Sequence, residues 1–192
     1  MSELTVGQLK GLSVNNNVIT VPSGHELYAS GHIIQVQTLD NVTRSTQGVP
    51  SDAWADITGM SLSITPKKTT SKILITARWF GEFSSQGMTW DSVFGIKRDS
   101  IQIGGHPDPF ATARNGITSA AISYFGDDAN STAETMSLFT TDYPNTTSLT
   151  TYKLTYNGAS GTIYNNRTIG WNTGTTTYEL GTSSMVLMEI AQ

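Results

Sequence analysis

The sequence predicts an all-β fold, a jelly-roll β-sandwich with a short extended N-terminal stem, and three observations predict it. Short segments rich in β-branched and aromatic residues recur along the chain, most of them bounded by turn residues. The composition is heavy in Thr, Ser, Asn and Gly, which suits exposed strand faces and turns rather than helices. The last ten residues, 183–192 (SSMVLMEIAQ), read as an apolar strand that closes the sandwich.

Bulk properties narrow the function. A chain of 192 residues fits one domain with a small extension. At that size roughly 70% of the unfolded surface is buried, so a core forms without staples. Only 14% of residues are charged and the net charge is -4, so no basic stripe is available for a phosphate backbone and nucleic acid is not an expected partner. With no cysteine, disulfides, thiol nucleophiles and Cys-based zinc sites are excluded. The start, MSELTVGQLKGL, carries no apolar signal region, and no run approaches the ~20 apolar residues of a membrane span. A soluble protein made in a cytoplasm is expected. The Asn-x-Ser/Thr triplets at Asn41, Asn130, Asn145 and Asn166 then read as a by-product of composition.

Residues 1–31 differ from the rest. They alternate apolar and polar residues in very short runs broken by Gly, Asn and Pro. Leu4, Val6, Leu9, Leu12 and Val14, with Val18, Ile19 and Val21, cannot be buried by a single copy of the segment and need a partner surface, the main domain being one candidate. Identical copies wound about an axis, or docking on another protein, are the preferred answers. The main domain, 32–192, opens with a strand over 32–39. Residues 40–52 read as a polar loop in which Pro50 holds Val49 extended. Strands over 53–57 and 60–65 are separated by a turn or bulge at Gly59. The strand over 73–80 carries Ile73, Ile75, Ala77 and Trp79 on one face and Leu74, Thr76, Arg78 and Phe80 on the other. Segments 93–97 and 101–103 flank a turn. A long irregular stretch, 104–130, has strand character over 117–125, and loops of that length are often functional. Further strands are expected over 135–140, 152–156, 161–164 and 185–190, with NGASG at 157–161 as a hairpin turn. No stretch has the length and caps of a helix.

The string DITGMSLSITPKKTTSKILITARW resembles a module of phage and prophage virion proteins, especially those of marine and cyanobacterial tailed phages. The blocks at 56–75, 95–104, 149–167 and 185–191 follow in the order such proteins show, and the start SELTVGQLKGL resembles their N-terminal segments. The resemblance covers about residue 32 to the end. It implies a tail-fibre-like or structural virion protein and a trimeric sandwich similar to the jelly roll of tumour necrosis factor and complement C1q. Residues 104–130 and 171–181 depart from the pattern, and specialisation is expected there.

Enzyme chemistry is hard to assemble from these residues. His25 and His32 lie seven apart and would meet their copies about a threefold axis, where histidine can bind metal, yet surface histidines are the simpler reading. His106 beside Asp108 reads as a loop stiffened by Pro107 and Pro109. Asp127, Asp128 and Asn130 resemble a fragment of a calcium loop but lack its spaced ligands. Glu82, Asp91, Glu134 and Glu179 are scattered, so a glycosidase pair cannot be argued unless two meet across the fold. No nucleophile elbow or phosphate loop is present.

Aromatic residues carry more. Trp54, Trp79 and Phe80 are expected in the core or a subunit interface. Trp171 and Tyr178, flanked by Asn and Thr, are the best candidates for receptor contact through sugar stacking, followed by Phe110 and Tyr124. The expectation is thus a non-enzymatic, homotrimeric virion protein with no catalytic residue, cofactor or metal. Residues 1–31, through Leu4, Val6, Leu9, Leu12 and Val14, anchor it to tail, baseplate or capsid proteins. A short tail fibre or receptor-binding tip, contacting a host surface glycan or protein, is preferred to a capsid decoration or head-fibre protein. A glycan-active tail enzyme comes last.

Overall fold

The computed structural model describes residues 10–11, 13–15, 20–23, 25, 29–90, 92–106, 114–119, 130–172 and 178–192. Two antiparallel sheets pack face to face as an all-β jelly-roll sandwich. The larger sheet contains β1 (Ile33–Asn41), β2 (Ser45–Val49), β4 (Lys72–Phe83), β8 (Glu134–Asp142), β10 (Gly161–Asn165) and β11 (Ser183–Ile190). The smaller contains β3 (Ala55–Ile64), β5 (Val93–Arg98), β6 (Ile101–Ile103), β7 (Thr118–Ser119) and β9 (Thr150–Asn157).

The alternation read in the sequence sets the faces. Along β4, Ile73, Ile75, Ala77 and Trp79 are buried, while Leu74, Thr76 and Phe80 are half-buried and Arg78 is exposed. From β11, Met185 and Leu187 join them, opposite Phe94, Ile96, Leu154 and Tyr156 of the smaller sheet. Trp79, Phe83, Phe94 and Tyr156 form the aromatic centre, with ring centroids 5.2 Å apart for Trp79–Phe83 and 5.7 Å for Phe94–Tyr156. The sheets are also clamped by polar groups. Asp142 of β8 takes two bonds at 2.9 Å from Arg98 and one at 2.7 Å from the Tyr152 hydroxyl. Burial, with that carboxylate as acceptor, holds the Tyr152 phenol well above its ordinary range.

Several elements differ from the sequence reading. The polar loop expected at 40–52 contains β2, an edge strand in register with β10 from Ser45↔Asn165 to Val49↔Gly161. Backbone pairing makes this strand, and its one buried apolar side chain, Val49, left too little pattern to read. The two strands expected over 53–65 are one, β3. Gly59 sits at φ +79 in a bulge, and Asn41 occupies the space a Cβ there would need. A five-residue helix, α1 (Gln86–Trp90), follows β4 and buries Met88. The strand expected over 117–125 is β7 at its start, and 120–129 lie outside the described residues.

One end of β1 meets the end of β11. The Gly31 amide donates to the Ala191 carbonyl at 2.8 Å, and the Ala191 amide to His32 at 2.9 Å. The inner side of β11 ends on a buried carboxylate, Glu189. It accepts from the Lys67 amide at 2.7 Å and from the Ser71 hydroxyl and Gln35 amide at 2.6 Å. These bonds tie the β3–β4 turn to β1.

Candidate functional site

The long strand β4 outlasts its neighbours, and the site grows from that mismatch. Residues 72–78 of β4 pair with β11 and residues 81–83 with β10, on the same edge. Between them the ladder breaks at Trp79 and Phe80. Side chains close the break. The Phe80 amide donates to Ser183 Oγ at 3.1 Å, and the Phe80 carbonyl accepts from the Asn166 amide at 2.9 Å. Asn166 takes φ 60, a conformation that asparagine tolerates better than most residues. Its side chain donates to the Thr43 carbonyl at 2.9 Å and accepts from the Ser183 hydroxyl at 2.6 Å. Beneath it Asn165 accepts from Trp79 Nε1 at 2.8 Å and donates to Ser45 Oγ at 3.0 Å.

Above this floor lies an open groove of about 350 Å³ lined by Val42, Arg44, Asn166, Leu180, Gly181 and Thr182. Three separate segments converge on it: the β1–β2 connection, the residues after β10, and the approach to β11. Val42 and Leu180 are 66% and 53% exposed, so its walls offer apolar surface to solvent. Gly181 passes directly over the Phe80 ring, where a Cβ would collide with it.

Arginines and aromatics edge the groove. The Arg44 guanidinium lies over the Trp171 ring, 3.9 Å from its centroid. Arg167 lies 4.8 Å from the Tyr164 centroid and 6.0 Å from that of Trp171. Its donors reach the Thr168 and Ile169 carbonyls at 3.2 and 3.3 Å and Thr46 Oγ1 at 2.7 Å. Arg78 donates to both the carbonyl and Oγ1 of Thr182, each at 2.8 Å. Trp171 is carried on a 3₁₀ turn, Ile169–Asn172, which a buried carboxylate holds in place. Glu82 of β4, fully buried, accepts from the Ile169 amide and, at 3.0 Å, from the Thr132 amide.

Of the residues singled out in the sequence, Trp171 and Tyr178 come together: both are half-buried, with the Tyr178 ring against Gly170. One face of Trp171, the residue expected to stack on sugar, carries the Arg44 guanidinium. Phe110 and Tyr124 lie outside the described residues, as do Leu4, Val6, Leu9 and Leu12. Val14, in the 3₁₀ turn Ser13–Asn15, is 82% exposed. Trp79 is in the core, Trp54 and Phe80 are half-buried, and Trp90 is 59% exposed. His25, His32 and His106 are exposed. Asp91, Asp108, Asp127 and Asp128 lie outside the described residues. Among the described residues no group of three or more His, Asp or Glu gathers in a metal-binding arrangement. Glu82 and Glu134 sit on adjacent strands, but Glu134 pairs with Gly81, so the pleat turns the two carboxylates to opposite faces. Arg44, Arg78 and Arg167 were not singled out. Each stands apart in sequence, and only the fold gathers them.

No protein-family model matches the chain, and no curated protein matches it. Among solved structures it is similar to the VP2 subviral particle of infectious bursal disease virus, with 14% identity and a TM-score of 0.32. That match covers 91% of this chain and 42% of the viral one, so this chain spans less than half the length of that protein.

Proposed function

We propose that the chain is a non-enzymatic structural protein of a tailed-phage virion. It is a homotrimer: residues 1–31 fasten it to the particle, and the sandwich, residues 32–192, projects as a short tail fibre or receptor-binding tip. The observation that carries this reading is the outer face of the larger sheet. Val36, Met188 and Leu74 stand side by side on β1, β11 and β4, and Val186, Thr76 and Phe139 make the next row on β11, β4 and β8. In the single chain Phe139 is 64% exposed and Val36 46%. Apolar side chains gathered from four neighbouring strands, interrupted by Thr76, are what copies of one chain cover when they associate. The four blocks that resemble phage virion proteins support the same reading, since they fall on β3–β4, β5–β6, β9–β10 and β11 in that order. Among the described residues no helix is long and apolar enough to cross a membrane.

Light scattering on the purified chain tests the assembly. The expected mass is three times 20.7 kDa, and Phe139→Asp is expected to leave a folded monomer. A wild-type monomer at micromolar concentration removes the trimer from the reading. Immunogold labelling of virions with an antibody to residues 32–192 tests the location. Gold at the tail tip is expected, whereas gold over the head replaces the fibre by a capsid decoration or head-fibre protein.

A further inference from the structure

The groove beside Trp171 has a chemistry of its own. Among the described residues, no acceptor lies within hydrogen-bond reach of the Arg44 guanidinium, and no carboxylate forms an ion pair with it. The guanidinium lies over Trp171, 3.9 Å from the ring centroid, and its N–H donors carry no hydrogen bond to a described residue. In the same groove, Thr182 Oγ1 already accepts from Arg78 at 2.8 Å, so its hydroxyl hydrogen is left to donate. The neighbouring carboxylate, Glu179, takes the Ser131 hydroxyl at 2.8 Å. Two of the residues lining the groove, Arg44 and Thr182, therefore present donors, and Arg44 carries a full positive charge. The matching ligand group is an oxyanion, for which a planar guanidinium fork gives two parallel bonds. Val42 and Leu180 line the same groove and supply apolar surface suited to the C–H faces of a sugar ring. About 350 Å³ lies at the lower end of the range for small-molecule sites, roughly 300–1,000 Å³.

We propose that this groove binds an acidic saccharide, holding its oxyanion on the edge of Arg44 and the Thr182 hydroxyl and its ring against Val42 and Leu180. Trp171 is then the platform that orients Arg44 rather than a surface for the sugar. The inference deepens the receptor-contact reading and rests on it for its biological setting. Its test uses the isolated full chain, so failure here leaves the virion location standing, and gold on the head leaves the binding result standing.

The test is a calorimetric titration at low salt with three probes: trigalacturonate, mannose 6-phosphate and neutral maltotriose. Binding of trigalacturonate, weakened roughly ten- to a hundredfold by Arg44→Gln, is expected. Arg44→Lys, which keeps the charge without the fork, is expected to fall between. Binding of mannose 6-phosphate alone, with the same loss in Arg44→Gln, supports the oxyanion site and makes phosphate the group recognised. No binding of either acidic probe overturns the proposal. So does maltotriose binding as tightly as trigalacturonate, or an Arg44→Gln variant with unchanged affinity. Because Arg44 is exposed, Arg44→Gln is expected to melt with the parent, and this separates a lost ligand contact from a lost fold.

Discussion

Glu82→Gln removes one charge and almost no volume, and its cost follows from the geometry. The carboxylate of Glu82 is fully buried and gives one oxygen to the Thr132 amide and the other to the Ile169 amide. Glutamine has a single side-chain oxygen, so its NH₂ must face one of two backbone N–H groups. The loss of a hydrogen bond to a charged group costs about 1.5–3 kcal/mol, and a buried N–H left without its acceptor adds about 1–3 kcal/mol. Removing a buried charge returns part of this, because the carboxylate no longer has to be desolvated. A net loss of about 3 kcal/mol is expected. At this chain length each kcal/mol lowers Tm by about 2–4 °C, so the midpoint should fall by about 10 °C. Against a typical total of about 5–15 kcal/mol the variant stays folded. Thermal and urea melts at neutral pH measure the loss, and hydrogen exchange at the Ile169 amide locates it. Two results refute this role for Glu82: a midpoint shift of less than about 2 °C, or an Ile169 amide as protected in the variant as in the parent. Either result would mean that Glu82 does not hold the turn that carries Trp171.

Two further outcomes are expected. Asp56 bridges Lys97 at 2.5 Å and Lys153 at 2.8 Å, two lysines directly opposite each other on β5 and β9. Burial pushes its carboxyl up, but the hydrogen bonds and charges of both ammoniums outweigh this and hold it below the ordinary 3.8. Its contribution is therefore complete above the unfolded value and is lost as pH falls through the lower folded one. Asp56→Asn should cost about 0.5–1 kcal/mol at neutral pH, a partly exposed pair being screened, and melts in acid should show the two proteins converging. A constant gap down to the most acid pH would rule the bridge out as the cause. Leu187→Asp puts a charge at a fully buried position of β11 between Ile75 and Gln37, and should abolish cooperative unfolding by circular dichroism; a normal melt would show that the strand does not lie in the core.

The parts of this fold that the sequence disclosed are those in which side chains alone carry the pattern. The strand at 73–80 alternates strictly between faces and could be placed with them, and the closing strand is apolar at nearly every position, so it could be placed as a strand. β2 could not, because its residues STQGV owe their conformation to hydrogen bonds with β10. Glu189, a charged residue within an apolar strand, is buried on three donors supplied by segments over a hundred residues away, which no local pattern reveals. The groove was hidden for a related reason. Trp171 and Tyr178 stood out by type, but the guanidinium that covers Trp171 comes from residue 44, and no local spacing links the two.

The break in the larger sheet explains why the groove lies where it does and how its chemistry can vary independently of the fold. An uninterrupted ladder leaves no concavity, whereas a strand that changes partners must satisfy two sets of backbone groups at the change. Here Asn166 and Ser183 do so, each using its side chain on backbone and on the other. Their substitution would expose buried polar groups at the centre of the sheet, so these positions are held by the fold. The residues that face outward from the same break are under no such constraint. Arg44 makes no hydrogen bond to a described residue, and Val42 and Leu180 are more than half exposed. Changes at those three positions are expected to alter the surface of the groove at little cost in stability. A rigid floor under replaceable walls is the arrangement expected of a surface that must follow a changing partner.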